Sequence, residues 1–315
     1  MPRTVLSLHS SAGLYGADVQ LLAIARGLDP DRWRAVCVLP ERGSLAPLLE
    51  EAGASVEIRS LAVLRRSEMS PAGLARLASA AGRDGRELAA LARRHEATLV
   101  HSNTSAVLGG GPAARRTGIP HLVHVREIYA GAAGRAGAAL WPLMRRHLQR
   151  ADALACISGA VADQFGGSRR VHVIRDGLPR AAAPPSRAAA RRELRVNEAG
   201  FVVALVGRVS DWKGQDVLAR ALADPALAQI AAVGLVAGDE VPGSGAAATL
   251  DGLAASLGVE RRLHRLGFRA DIDTVLGAAD ALVVPSTRPE PLGLVALEGA
   301  AAGLPVVASD SGGVT

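Results

Sequence analysis

The sequence predicts an α/β fold made of two Rossmann-like, doubly wound domains in series. Three observations carry this. Short apolar runs alternate with longer amphipathic stretches, the pattern of parallel strands joined by crossover helices. The apolar fraction is 49% but aromatics make up only 3%, so the core is Ala, Leu and Val, which suits parallel strands covered by helices. A stretch rich in Pro, Ala and Arg, RDGLPRAAAPPSRAAARREL (175–194), interrupts the alternation, and 315 residues are enough for two domains. The expected boundaries are 1–178 for the first domain, 179–200 for a linker and 201–315 for the second.

In the first domain, TVLSLHS (4–10) reads as a strand and ADVQLLAIARGL (17–28) as a helix. RAVCVLP is the next strand, SLAPLLEEAG a helix closed by glycine, and SVEI a short strand. Two helical stretches follow between Pro71 and His95, then strand ATLVHS, helix 104–117 and strand HLVHV. Helix 136–150, strand ADALACIS, helix 159–166 and strand RVHVI complete the unit. After the linker, FVVALVG (201–207) restarts the pattern, followed by helix 213–223, strand AAVGLVAG, helix 246–257 and strand RLHRLGF. A short helix from 271, strand ALVVPS, helix 293–302 and strand PVVAS end the chain. Ligands of open α/β sheets sit beyond the carboxyl ends of the strands, so two such sheets predict a site in the cleft between them.

Composition narrows the function. The net charge is +6 and the pI about 10.4, a balance that suits anionic partners such as nucleotides, phosphosugars or lipid headgroups. There is no zinc-finger spacing, RNP-like aromatic pattern or long basic arm, so nucleic acid is not an expected partner. Arginine dominates the cations, the mark of codon composition, and Lys213 is the single lysine. A lysine kept against that bias draws attention. No apolar run approaches the roughly 20 residues of a membrane span, and the start is too short in apolar residues for a secretory signal. Cys37 and Cys156 each sit in an apolar run and read as buried thiols in a reducing compartment. The expected location is the cytoplasm. The segment ALWPLMRRHLQR (139–150) sets Trp141, Leu143, Met144 and Leu148 beside Arg145, Arg146 and Arg150. It suits either a core helix with a basic outer face or peripheral contact with an anionic membrane.

The stretch TRPEPLGLVALEGAAAGLPVVAS (287–309) places Glu290 and Glu298 with seven residues between them. Pro291 cannot lie deep in a helix, so the helix starts near Gly293, with Glu290 in the loop before it and Glu298 beyond its first turn. Free N–H groups near Leu292, Gly293 and Leu294 form an anion site. Positions eight apart on a helix lie about 12 Å apart, close to the span from a sugar across a diphosphate to a ribose. Carboxylates accept from hydroxyls at both ends while backbone amides serve the phosphates between. The loop 9–17 has no Gly-Lys-Ser/Thr ending and no G-x-G-x-x-G, which argues against a P-loop or a nicotinamide enzyme. The DID at 271–273 precedes a short helix and reads as an N-cap, with no metal expected there or elsewhere.

PEPLGLVALEGAAAGLPVVASDSGG resembles the glutamate-x7-glutamate signature of glycosyltransferase family 4, retaining enzymes of the GT-B fold. LVGRVSDWKGQDVLARAL, VIRDGL and GADVQLLAIARGL follow the family's other segments in order, so the likeness covers the whole chain. It implies that Arg208 and Lys213 neutralise the donor diphosphate, that Glu298 holds the ribose and that Glu290 faces the donor sugar. Gly16 would bring backbone N–H close to the diphosphate. Either His124 or Arg126 stands where the family has a histidine near the donor sugar. His9, Asn103 and Thr104 fall on the acceptor side. Leu292 replaces a common Phe, and Asp176 the usual Asn. Family members continue beyond the point matching Thr315, which implies a truncated, incomplete second domain.

The implied function is metal-independent, retaining transfer of a sugar from a UDP- or GDP-sugar, with no other cofactor. The acceptor would be a hydroxyl of a glycan, a lipid-linked sugar or a small molecule. The alternatives are a non-catalytic nucleotide-sugar binding module and a GT-B sugar-nucleotide epimerase.

Overall fold

A computed structural model describes residues 1–65, 68–129, 134–178, 184–241 and 243–315. The chain divides into two compact units, Met1–Gly177 and Leu178–Thr315. Of the expected linker, residues 179–183 lie outside the described residues.

The first unit runs β1 (Arg3–Leu8), α1 (Gly16–Gly27), β2 (Trp33–Leu39), α2 (Leu45–Glu51), β3 (Ser55–Ile58), α3 (Pro71–Arg94), β4 (Ala97–Ser102), α4 (Gly110–Thr117), β5 (His121–Val125), α5 (Gly134–Leu148), β6 (Ala153–Cys156), α6 (Gly159–Asp163) and β7 (Val171–Val173). Its seven strands are parallel, in the order β3-β2-β1-β4-β5-β6-β7. The order reverses between β1 and β4, and loops leaving the carboxyl ends of such a pair diverge to open a ligand crevice. Leu6, Leu8, Val36, Val38 and Val100 pack under α3 and α4 on one face. Cys37 and Leu39 pack against Leu21, Leu22, Leu45 and Leu49 of α1 and α2 on the other. The strands therefore read as continuous apolar runs, as two covered faces require.

The second unit runs α7 (Arg187–Glu193), β8 (Val202–Val206), α8 (Gln215–Ala223), α9 (Pro225–Gln229), β9 (Val233–Ala237), α10 (Ala246–Ser256), β10 (Leu263–Gly267), α11 (Ile272–Ala278), β11 (Ala281–Val284), α12 (Leu294–Ala301) and β12 (Val306–Ala308). The sheet order is β10-β9-β8-β11-β12, again parallel, with the reversal between β8 and β11.

Four local expectations need correction. The region after Pro71 is one helix of 24 residues. Its Gly85 is a contact point rather than a break, since a Cβ there would lie 2.4 Å from Pro112 Cβ of α4. Helix α4 starts at Gly110 instead of 104, because Asn103, Thr104 and Ser105 are buried polar residues whose side chains favour turns over helix. Short α9 was not foreseen; Asp224 caps it, accepting from Ala226 N, and Pro225 opens it. Asp271 does stand at the N-cap position of α11, but its carboxylate pairs with Arg269 and caps no N–H.

Helix α7 lies within the stretch read as linker. It is fixed to the second sheet by Arg191, a fully buried cation. Arg191 donates to Ala278 O at 2.9 Å, Glu198 O at 2.6 Å, Gly200 O at 2.9 Å and Asp280 Oδ2 at 2.7 Å. Asp280 in turn accepts from Val202 N at 2.7 Å. A buried guanidinium needs this many acceptors to offset its lost hydration.

Candidate functional site

In the second unit the reversal of strand order puts the loop after β8 beside the loop after β11. Gly214 closes the first loop with φ +78°, and a Cβ there would lie 2.1 Å from Pro285 O, so only glycine lets the two backbones meet. Thr287 N donates to Trp212 O at 2.8 Å, and Gln215 Nε2 to Arg208 O at 2.9 Å.

This stitching delivers Lys213 to Glu290. Lys213 Nζ lies 2.7 Å from Glu290 Oε1 and 4.4 Å from the centroid of the Trp212 ring. Ser286 Oγ donates to the same Oε1 at 2.5 Å. Glu290 is buried, 4% exposed, so its charge is held by one ammonium and one hydroxyl. Lys213 sits in the loop two residues ahead of α8 rather than in the helix. Arg208 follows β8 and is exposed.

Helix α12 starts where the sequence puts it, with Gly293 as its N-cap at φ 74°. Leu292 and Gly293 are buried and Leu294 is the first helical residue. Glu290 forms a parallel bridge with Gly312, and Gly313 N donates to Glu290 O at 2.6 Å. Glu298 lies one turn into α12 and has no ion pair among the described residues. Burial first, then the Asp273 carboxylate of α11, pushes it up to about 7. The two glutamates thus live in opposite surroundings: Glu290 beside a cation, Glu298 beside another acid.

In the first unit the polar residues gather at the carboxyl edge of β1, β4 and β5. Gly16 opens α1 and is exposed, with nothing within 4 Å of an added Cβ. Packing around Gly16 does not by itself require glycine there. Asp18, in the first turn of α1, accepts from His9, from Ser11 Oγ at 2.5 Å and from Tyr15 N at 2.8 Å. His9 also meets Asn103, and Arg126 binds Asn103 and pairs with Asp176. Thr104 is buried, and its hydroxyl has no partner among the described residues.

His124 and Arg126, the alternatives for one role, are placed differently. His124 Nδ1 meets His101 Nε2 at 3.1 Å, His101 Nδ1 meets Ser7 Oγ at 3.2 Å, and His124 Nε2 is buried with no partner among the described residues. Burial, then Arg126, pushes His124 down to about 3, so the ring is neutral. Arg126 is buried and held by three hydrogen-bonded groups. Two features here escaped the sequence reading: Asp176 as the counter-charge of Arg126, and Asp18 as the collector of three donors. Spacing signals neither: Arg126 and Asp176 come from different strand ends, and the donors to Asp18 converge through the folding of the loop between β1 and α1.

Elsewhere, Trp141 of α5 stacks on Tyr129 at 5.3 Å and meets Phe165 edge-on at 5.6 Å. Met144 and Leu148 are buried, and Leu143 is exposed. Most of the apolar stripe of α5 is therefore committed to its own unit. No helix among the described residues is long and apolar enough to cross a membrane. A cavity of about 210 Å³ lies between α4 and α5 near His121, with Arg115, His147 and Arg150 on its wall. Arg115 stands in the last turn of α4 and Arg150 just past the end of α5, where they complement the dipole; burial, then Arg115, pushes His147 below its ordinary value. Cys37 and Cys156 are free, and burial pushes their thiols up to about 12 and about 11.

The Glycosyl transferase 4-like domain matches residues 15–177, and the domain described as Glycosyl transferases group 1 matches residues 186–315. D-inositol 3-phosphate glycosyltransferase of Salinispora arenicola is 40% identical over 172 residues, 50% of this chain and 38% of that protein. The enzyme of the same name from Actinosynnema mirum is 36% identical over 226 residues, 65% of this chain and 54% of that protein. The chain thus spans about half, or less, of the length of these curated relatives. The crystal structure of Anabaena Alr3699/HepE in complex with UDP and glucose matches with a TM-score of 0.81 and 29% identity, over 98% of this chain and 81% of that one.

Proposed function

The chain belongs to glycosyltransferase family 4, and from that premise we propose that it transfers a sugar from a nucleotide-diphosphate sugar to an acceptor hydroxyl with retention of configuration. The observation that carries this reading is the contact between Lys213 and Glu290 at the strand reversal of the second unit. A cation and an acid held there by backbone stitching are placed for a ligand that is anionic at one point and hydroxylated at the next. The donor diphosphate engages Lys213 and Arg208, which take up the charge of the departing nucleoside diphosphate. Glu290 accepts hydroxyls of the donor sugar and Glu298 those of the ribose. The acceptor oxygen attacks on the face the phosphate leaves, and the leaving phosphate takes its proton, so no protein base is needed. Protein cations supply the electrostatic stabilisation, and neither a metal nor a further cofactor enters the scheme.

The UDP in the Anabaena complex supports a UDP-sugar as the first donor to try, with GDP-sugars as the contrast. The names of the curated relatives support D-inositol 3-phosphate as the first acceptor. Calorimetric titration with UDP and GDP, followed by release of nucleotide on adding donor and acceptor, tests the reading. Binding of either nucleotide that Lys213→Ala weakens is the expected result. A chain that binds neither contradicts the reading, and one that binds donor but never releases nucleotide is a binding module.

A further inference from the structure

Four polar residues stand in a row at the carboxyl edge of the first sheet: His9 after β1, Asn103 after β4, Arg126 after β5 and Asp176 after β7. His9 and Asn103 are fully buried and Arg126 is 8% exposed. Buried polar groups must find partners among themselves, and here each partner's chemistry fixes the next one's role.

The row begins with a group that only donates. Arg126 gives Nε–H to Asn103 O at 2.9 Å and Nη2–H to Asn103 Oδ1 at 3.1 Å. That turns the side-chain oxygen of Asn103 toward Arg126 and its NH2 away. The NH2 nitrogen lies 3.1 Å from Ala17 O and 3.1 Å from His9 Nδ1. A backbone carbonyl only accepts, so Ala17 independently demands the same orientation of the amide. Facing an N–H, His9 Nδ1 must accept. The ring proton is then on Nε2, 2.7 Å from Asp18 Oδ1.

We propose that Asn103 is a positioning residue: held by Arg126 and Ala17, it fixes the Nε2–H tautomer of His9, which turns the Asp18 carboxylate inward at the mouth of α1. Asp18 stands in the first turn of that helix, where an acid left facing out would compete with an incoming anion for the helix N–H groups. With His9, Ser11 and Tyr15 all donating to it, its charge is absorbed, and the loop ahead of α1 takes its shape around it. The helix mouth beside Gly16 is left electropositive for an anionic ligand. Arg126 acts on this array through Asn103. The ligand in this inference rests on the proposed function; the tautomer does not.

Proton–nitrogen correlation spectra of histidine-labelled protein, with His9 assigned through His9→Gln, read the tautomer with no substrate present. The expected result is a protonated Nε2 and an unprotonated Nδ1 at neutral pH. A protonated Nδ1 in the unaltered protein overturns the proposal, and this measurement needs no variant that has to fold. Asn103→Asp replaces the NH2 by an acceptor and is expected to bring a second proton onto the ring; an unchanged His9 spectrum in folded Asn103→Asp protein also overturns it. UDP is then the probe of the consequence: His9→Phe takes the Nε2–H donor from Asp18, and UDP binding about tenfold weaker than in the unaltered protein is expected. Equal UDP binding by both proteins breaks the link from tautomer to helix mouth and overturns that part. If the unaltered protein binds no UDP, the nucleotide-sugar reading fails, while the spectra still decide the tautomer.

Discussion

Lys213 Nζ and Glu290 Oε1 stand 2.7 Å apart, with Lys213 23% and Glu290 6% exposed at the side chain. The site's cation and its acid hold each other before any ligand arrives. A diphosphate entering the site must therefore share Lys213 with Glu290. Removing either partner has distinguishable effects. Lys213→Ala leaves the Glu290 carboxylate buried with only Ser286 as a donor, so stability should fall by about 1–3 kcal/mol. The donor KM should rise with it, since the lost charge served the diphosphate. Glu290→Gln keeps an acceptor for Ser286 and removes the charge, and kcat should drop about a hundredfold or more. Steady-state kinetics and urea denaturation separate the two, and near-normal kcat in Glu290→Gln contradicts its assigned place beside the sugar.

Glu298 makes stability depend on pH in an unusual direction for an acid. Its folded-state value of about 7 lies above the ordinary 4.5. Between those values the unfolded chain has released a proton that the folded chain keeps, so stability falls as pH rises through the window. Glu298→Gln should flatten that slope and stabilise the protein by about 2 kcal/mol near pH 7, after allowing for partial exposure. Ribose hydroxyls that donate to the carboxylate favour its charged form. Nucleotide binding below pH 7 should therefore release a proton. Calorimetry in two buffers of different ionisation enthalpy detects it, and identical apparent enthalpies would count against contact with Glu298.

Arg191 predicts the loss of a fold element rather than of a site. Its guanidinium joins α7 to the end of α11 and, through Asp280, to the start of β8. Arg191→Ala leaves Asp280 without this buried cation and three backbone carbonyls without a donor, and the loss should be roughly 3–5 kcal/mol. Protection of the β8 amides from hydrogen exchange should fall in step. A variant with unchanged midpoint and exchange would mean that Arg187, which also pairs with Asp280, carries the junction alone.

Legibility in the sequence followed the range of the interaction. Strands β3, β4 and β5 occur where the apolar runs put them, because a run bounded by turn residues needs no information from elsewhere in the chain. The start of α12 was equally readable, since Pro291 and Gly293 act on their own backbone. The two helical stretches expected between Pro71 and His95 are one helix, and its Gly85 serves a contact with Pro112 on another helix, which the sequence alone does not show. The pairing of Lys213 with Glu290 spans the strand reversal, and the sequence showed two attractive residues without showing that they touch. Arg191 was hidden among ordinary arginines, in a chain where that residue type carries no signal.

The Arg126–Asp176 pair joins one of the two candidates for the histidine position to the Asp that replaces the usual Asn, and their contact predicts that they behave as a unit. Both side chains are nearly buried, at 6% and 10% exposure. Asp176→Ala leaves the guanidinium with only Asn103 as acceptor and should cost about 3–5 kcal/mol. Asp176→Asn retains an acceptor oxygen and should cost less. Arg126→Met alone leaves Asp176 buried without its cation, a comparable loss. The double variant Arg126→Met with Asp176→Ala removes both charges and fills the guanidinium's space with an apolar chain, so it should recover much of what either single change loses. Denaturation midpoints of the four proteins close the cycle. Losses that simply add would show that the two side chains do not depend on each other, and each would then need a separate explanation.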